Sequence, residues 1–184
     1  RKKSPVHYLH RHFSMAGQSR IDVLDIGCGN GGYLMSLDEQ FVPFGIEISK
    51  GLAEQAQAAF SSRGGSVTNA PTTQALHQIE PRSMDAIVMR SYLEHEAEPL
   101  EVLKGCAKIL KQDGVVVIKV PNYACVNRMV MGANWCGFRF PDHVNYFTPR
   151  SLTDMAAQAG FRTAQRFTDK LPTSDNMWAA LTLA

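Results

Sequence analysis

The chain has 184 residues, 45% of them apolar and 20% charged, which is the composition of one globular domain large enough for a substantial core. A formal charge of +2 excludes the dense basic surface that polyanions require, so no nucleic-acid partner is expected and Arg1-Lys2-Lys3 reads as a solvated start. No apolar run has the length of a membrane span, so no membrane insertion is expected. The basic start is not followed by an apolar segment, so no signal peptide is visible. The four cysteines (Cys28, Cys106, Cys125, Cys136) show no C-x-x-C spacing, and buried reduced thiols in a cytoplasmic protein are the expectation. The first strand follows the start closely, which leaves open that the chain is a fragment of a longer protein. Oligomeric state is not encoded in these features.

Residues 4–16 read as a helix with Val6, Leu9, Phe13 and Met15 at its apolar positions. Its histidines, His7, His10 and His12, have no companion carboxylate there, so surface positions are expected and no metal. Residues 21–26 form a first strand. The stretch from Val23 to Leu34 then passes from a β-branched apolar run through a glycine-rich turn into a helix over about 30–38. Glycines permit positive φ and leave no Cβ between the backbone and a bound molecule. A helix start adds unpaired N–H groups that suit anionic ligand groups. Gly27-x-Gly29-x-x-Gly32 fits the dinucleotide pattern, and Asp25-x-Gly27-x-Gly29-x-Gly31 fits a tighter one that begins with an acid. A second strand over Phe41–Ile48 carries Glu47 twenty residues beyond Gly27. That is the offset at which a strand-end carboxylate meets the two ribose hydroxyls of an adenosine.

A helix over 50–62 ends at Gly64-Gly65, a short third strand runs from Ser66 to Ala70, and a short helix covers 72–79. Ala86-Ile87-Val88-Met89 is a continuous apolar strand, as expected where helices cover both sheet faces. Leu100, Leu103, Ala107 and Leu110 mark a helix, and Asp113-Gly114 turns the chain into the strand Val115–Ile118. Strands alternating with helices predict a parallel sheet. From Pro121 to Thr148 the alternation lapses. A short amphipathic helix bearing Val126, Met129 and Val130 is expected, followed by Trp135, Phe138, Phe140 and Tyr146, the makings of a lid or pocket wall. Thr148 caps a helix with Pro149 at its first position, and Gly160 ends it. Residues 161–169 and 176–183 read as two closing strands joined by a loop over 171–175.

The acid-and-glycine loop Asp25-Ile26-Gly27-Cys28-Gly29-Asn30-Gly31 resembles the cofactor loop of class I S-adenosylmethionine-dependent methyltransferases. Met84–Met89 with Leu93-Glu94-His95 resembles that family's fourth strand and following loop, and Ile109–Ile118 its passage into the fifth. Asp142–Leu152, closed by Ala159-Gly160-Phe161, is similar to a subgroup near the ubiquinone-biosynthesis-type enzymes. The resemblance spans nearly the whole chain. It implies one domain over 1–184, with an N-terminal helix in 1–20 and a lid or substrate insertion at 121–148. The implied fold is a Rossmann-like, doubly wound α/β sheet of seven strands, mostly parallel, with an antiparallel last strand.

The same resemblance implies S-adenosyl-L-methionine as cofactor. Gly27, Cys28, Gly29 and Gly31 would wrap its methionine and ribose, Asp25 would place the α-amino group, and Glu47 would hold the ribose. The acid that many members carry after the third strand is replaced by Asn69-Ala70-Pro71, so adenine falls to Asn69, Ala70 and packing on Ile48. Arg90, ending the fourth strand, is also expected at the cofactor. Arg90-Ser91-Tyr92-Leu93 stands where amino-methylating DNA enzymes have Asn-Pro-Pro-Tyr, which argues against that activity.

Methyl transfer from a sulfonium is an in-line displacement, so alignment and water exclusion are the protein's main task. The implied acceptor is a small molecule with an O, N or C nucleophile, and a base is needed only where the acceptor keeps its proton. His143 is the first candidate for that base, with Asp142 biasing its tautomer, and His95 is the second. Two other readings stay open on the residues: a catalytically inactive methyltransferase-like domain that binds cofactor or partner, and a nicotinamide-dependent oxidoreductase.

Overall fold

The computed structural model describes residues 5–14, 19–168 and 174–184; Met15, Asp169 and residues 171–173 of the expected closing loop lie outside them. Ile21–Ile26 (β1), Met84–Arg90 (β4) and most of Leu110–Pro121 (β5) are branched apolar runs buried on both faces. Only the middle of a sheet covered twice by helices accommodates such runs. Phe41–Ile46 (β2) and the three-residue Ser66–Thr68 (β3) extend the sheet on one side. Phe161–Thr168 (β6) and Asn176–Leu183 (β7) extend it on the other.

The order is β3-β2-β1-β4-β5-β7-β6. Strands β1 to β5 pair in parallel, and β7 runs antiparallel to both β5 and β6. This is the seven-stranded, mostly parallel sheet with an antiparallel last strand that the sequence implied. The two-residue period of the strands divides the core. Val23, Ala86, Val88, Val115 and Val117 pack with one set of helices: Pro5–Ser14 (α1) through Leu9 and Phe13, Gly32–Met35 (α2) through Leu34, and Lys50–Ser61 (α3) through Ala56 and Phe60. Leu24, Ile26, Ile87, Met89, Val116 and Ile118 pack with Thr72–Leu76 (α4), Pro99–Ile109 (α5) and Pro149–Gln158 (α7).

Several boundaries differ from the sequence reading. β3 stops at Thr68, because the Asn69 side chain turns back to donate to the carbonyls of Glu47 and Ile48. α2 and α4 are shorter than expected. The fifth strand begins at Leu110, paired with Met84, so Asp113-Gly114 lies inside it where the register shifts. Thr148 caps α7 as expected, in a reciprocal capping box with Ser151. The direction of winding reverses between β1 and β4, and the loops leaving these two strands open the crevice where such sheets hold ligands.

Gly65 shows how tightly the β2–β3 edge is closed: a Cβ there would lie 1.8 Å from the Pro43 carbonyl oxygen. Gly65→Ala is therefore expected to destabilise the fold by about 1–3 kcal/mol as an overpacking change. Gly51→Ala, whose Cβ meets nothing within 4 Å at the start of α3, is expected to be neutral or to stabilise by about 0.5–1 kcal/mol. Urea midpoints at unchanged slope measure both.

Candidate functional site

β1 delivers Asp25, buried at 3% exposure, to the crevice floor between Gly45 of β2 and Val88 of β4. The chain then turns through Gly27, Gly29 and Gly31, with φ of +73°, +56° and +81°, values that side-chain-bearing residues resist. The Gly27 and Cys28 N–H groups both donate to the Ile46 carbonyl, at 2.8 and 3.2 Å, and Gly31 N–H donates to the Cys28 carbonyl at 3.0 Å. The three glycines face different surroundings. A Cβ on Gly27 would lie 2.6 Å from the Tyr92 ring and one on Gly31 2.6 Å from Phe60, whereas one on Gly29 would meet nothing within 4 Å. Gly29 thus borders open space at the crest of the loop. The Cys28 thiol is buried as expected: it packs in the core over Gly45, and burial pushes its pKa up to about 12. Only its backbone is left for a ligand.

Glu47 sits just past β2, at 9% exposure. Its Oε2 accepts from Gly29 N–H at 2.9 Å and its Oε1 from Ser49 N–H at 2.9 Å. One carboxylate thus ties the crest of the loop to the start of α3. Each oxygen retains a second lone pair. Beside it, Ile48 is 73% exposed, an apolar platform open to solvent. The Asn69 amide nitrogen donates to the Glu47 and Ile48 carbonyls at 2.7 and 3.0 Å, so that nitrogen is already engaged. Ala70 packs against the core.

Burial pushes the Asp25 carboxyl up to about 7; the charge of Arg90 opposes this rise and that of Glu47 adds to it. The Arg90 guanidinium lies 3.8 Å above the Tyr33 ring centroid, a favourable cation–π arrangement. The Tyr33 hydroxyl is buried and has no hydrogen-bond partner among the described residues. Tyr92 covers Gly27, and its hydroxyl bonds to Thr72 Oγ1 and to the Glu96 carboxylate. Neither tyrosine was legible as a site residue, since each owes its place to contacts between elements distant in sequence.

The loop after β4 and the 121–148 insertion meet on the other side of the crevice. Val144 and Asn145 N–H donate to the Glu94 carbonyl, and the Asn145 amide donates to the Leu93 and Glu96 carbonyls. The structure brings His95 and His143 together edge-to-face, with ring centroids 4.7 Å apart. His95 Nδ1 bonds to the Asp142 carbonyl at 2.7 Å and His143 Nδ1 to the Gly137 carbonyl at 2.8 Å. A carbonyl only accepts, so each Nδ1 carries the proton and each Nε2 the lone pair. The Gly137 carbonyl, in place of the expected Asp142 carboxylate, sets the His143 tautomer. Burial holds the His143 pKa below its ordinary value.

Within the insertion, Val126–Met131 forms the expected short helix (α6). The insertion's aromatics make contact with one another, Trp135 being buried and Phe138 38% exposed. Tyr123, Trp135, Phe138 and Tyr146 pack on one another as a small core, with Trp135 Nε1 donating to Asp175 at 2.7 Å. Phe140 stands 90% exposed.

A family model described as a methyltransferase domain matches residues 2–166. The chain belongs to that family. Its sheet order and antiparallel β7 make it a class I, S-adenosylmethionine-dependent member. Among its relatives are ubiquinone biosynthesis O-methyltransferases of Nitrosospira multiformis, 28% identical over 83% of this chain, and Neisseria meningitidis, 26% identical over 85%. The aligned stretch spans 66% and 69% of those proteins, about two thirds of their length. The fold is similar to a methyltransferase of Clostridium acetobutylicum, with a TM-score of 0.76 at 12% identity, covering 100% of this chain and 92% of that one. It is also similar to magnesium protoporphyrin IX methyltransferase of Synechocystis with bound SAH, with a TM-score of 0.72 at 14% identity, covering 97% and 82%. No helix among the described residues is long and apolar enough to cross a membrane.

The family's cofactor fits the residues present: the space at Gly29 is open, Glu47 keeps acceptor capacity at its rim, and Ile48 offers an apolar face beside it. Asp25 supplies a direct electrostatic test. Its carboxyl stays protonated in the fold up to about pH 7 but ionises near 4 in the unfolded chain. The unfolded state therefore releases the proton first, so this group's contribution to stability is complete below about pH 4 and is lost as pH rises to 7. Denaturant titrations should show Asp25→Asn gaining on the wild type progressively across that window and holding a constant difference above it.

Proposed function

We propose that the chain transfers the methyl group of S-adenosylmethionine to an oxygen of a small hydroxyl-bearing acceptor by in-line displacement. The observation that carries this reading is the Glu47 carboxylate, which clamps Gly29 and Ser49 at the rim of open space. The oxygen acceptor is supported by the names of the relatives, which are O-methyltransferases. The cofactor, when bound, supplies a methyl group already activated by its sulfonium.

Each residue then has one task. Asp25 and Arg90 hold the ammonium and carboxylate of the methionine part, opposite charges for opposite charges. The backbone of Gly27, Cys28, Gly29 and Gly31 lets that part lie close to the loop. Glu47 accepts from the ribose hydroxyls with its remaining lone pairs. Ile48 packs against adenine, with Asn69 and Ala70 at its edge. The 90–95 loop and the 121–148 insertion form the acceptor side and exclude water from it. There His143 and His95 orient the acceptor hydroxyl and provide for loss of its proton.

Calorimetry with S-adenosylhomocysteine tests the cofactor half. Glu47→Ala should weaken binding by about 1.5–3 kcal/mol, the range for hydrogen bonds to a charged group. It should also lower stability, since two backbone N–H groups lose their acceptor. Gly29→Val should abolish binding, because its side chain would fill the ligand's space, and should also cost some stability, because a branched residue resists a φ of +56°. Wild-type protein with no affinity for S-adenosylhomocysteine would refute the proposal. Methyl-labelled cofactor offered with a panel of small phenols and catechols tests the acceptor half, and a methyl ether is the expected product.

A further inference from the structure

We propose that Lys119, walled by Trp178, binds a carboxylate carried by the methyl acceptor, so that the acceptor is an aromatic acid bearing a hydroxyl group. The carboxyl edge of the sheet sets three side chains in a row. Arg90 of β4 is the register partner of Lys119 in β5, and Lys119 is that of Trp178 in β7. Register partners share one face of a sheet. Here it is the face of Val88, Val117 and Ala180, which α1, α2 and α3 cover. Asp25 pairs with Val88 on the same face. The row thus runs outward from the proposed methionine site, between the 90–95 loop, which leaves β4 at Arg90, and the insertion, which leaves β5 at Pro121.

Two cations therefore stand on neighbouring strands, roughly 5 Å apart at the backbone, and each lies against a different ring. The Arg90 guanidinium is 3.8 Å from the Tyr33 centroid, and the Lys119 ammonium is 5.9 Å from that of Trp178. The second distance is at the outer limit of a cation–π contact, so the ring leaves the ammonium largely unsatisfied. Lys119 is half-buried and carries three N–H donors. Among the described residues its ammonium joins neither an ion pair nor a hydrogen bond. The other lysine of β5, Lys111, meets the buried Asp85 at 2.8 Å. The charge of Lys119 is felt by Glu94, whose pKa it lowers against the effect of burial, but the two form no ion pair.

Arg90 is assigned to the carboxylate of the cofactor, so a second anion is what the row has left to receive. One ammonium matches a carboxylate, whereas a phosphate ester would call on more donors than Lys119 alone supplies. The indole beside it suits a planar ring, because aromatic rings stack offset or edge-to-face with a gain beyond the area they bury. An acceptor fixed at its acidic end is held in one orientation, and orientation is what in-line transfer needs from the protein. That the bound acid is the methyl acceptor rests on the proposed methyl transfer. The affinity of Lys119 and Trp178 for an aromatic acid does not.

The test titrates catechol and protocatechuate, which differ only in the carboxylate, into the full chain with and without S-adenosylhomocysteine, and follows tryptophan emission and heat. Protocatechuate should bind saturably and at least about tenfold more tightly than catechol, the ratio expected for one hydrogen bond to a charged group. Its quenching of emission should disappear in Trp178→Phe, which keeps Trp135. Lys119→Met and Lys119→Gln should each bring the ratio close to one, and Lys119→Arg should restore most of it. Unchanged melting of at least one neutral variant shows that the fold survives. Equal affinity of the wild type for the two compounds, an undiminished ratio in the neutral variants, or no saturable binding of the acid below the millimolar range would overturn the site. S-adenosylhomocysteine binding on the same samples separates the two proposals: cofactor binding without preference for the acid sinks the Lys119 site alone, and the reverse sinks the methyl-transfer reading while the site stands.

Discussion

The Glu47 carboxylate is the interaction on which the crevice depends. Its two oxygens take N–H groups from Gly29 and Ser49, so one side chain fixes the crest of the loop after β1, the end of β2 and the start of α3. Without it the loop's geometry would rest on the two bonds to the Ile46 carbonyl and the Gly31–Cys28 turn. A charged acceptor shared by two backbone donors makes bonds stronger than a neutral one would. Glu47 is nearly buried and joins no ion pair among the described residues. The arrangement thus fixes the geometry of the loop crest while leaving each carboxylate oxygen a further lone pair.

The sheet was legible in the sequence because its cause is local and repetitive. Ala86–Met89 and Val115–Ile118 are apolar at every position, and only a doubly covered strand tolerates that. The loop was legible for the same reason: Asp25, Gly27, Gly29 and Gly31 declare positive φ and close approach within a few residues. What each glycine serves was not legible. Gly27 and Gly31 yield space to Tyr92 and Phe60, while Gly29 yields it to solvent, and those neighbours are brought in by β4 and α3. The burial of the Cys28 thiol was legible from its apolar run, but its packing over Gly45 of the neighbouring strand was not.

The acceptor side was the least legible part. Aromatic residues in the insertion suggested a pocket wall, but a segment that leaves the sheet must first bury its own apolar surface. Tyr123, Trp135, Phe138 and Tyr146 do so together, anchored by Asp175 from just before β7. Glu94 was visible in Leu93-Glu94-His95 but carried no signal of burial, because its environment is made by Val144 and Asn145 some fifty residues on. His95 and His143 were paired as alternatives for one role. Their rings touch, so they are parts of one constellation.

Charge distribution joins the two sides. Four acids of the sheet and its loops are nearly buried: Asp25, Glu47, Asp85 and Glu94. Asp85, at the opposite end of β4, is neutralised by Lys111 at 2.8 Å and also accepts from Asp22 N–H. The other three all lie where β1, β2 and β4 end, and none of them joins an ion pair among the described residues. Arg90 is the cation whose charge bears on Asp25, and it is stacked on Tyr33. The charge of Arg90 lowers the Asp25 pKa and that of Lys119 lowers the Glu94 pKa, but burial outweighs both and holds each carboxyl above its ordinary value. In the proposed cofactor complex, the ligand's ammonium would meet Asp25 and its ribose hydroxyls would meet Glu47. The remaining acid, Glu94, lies beside His95 and His143 where the loop after β4 meets the insertion.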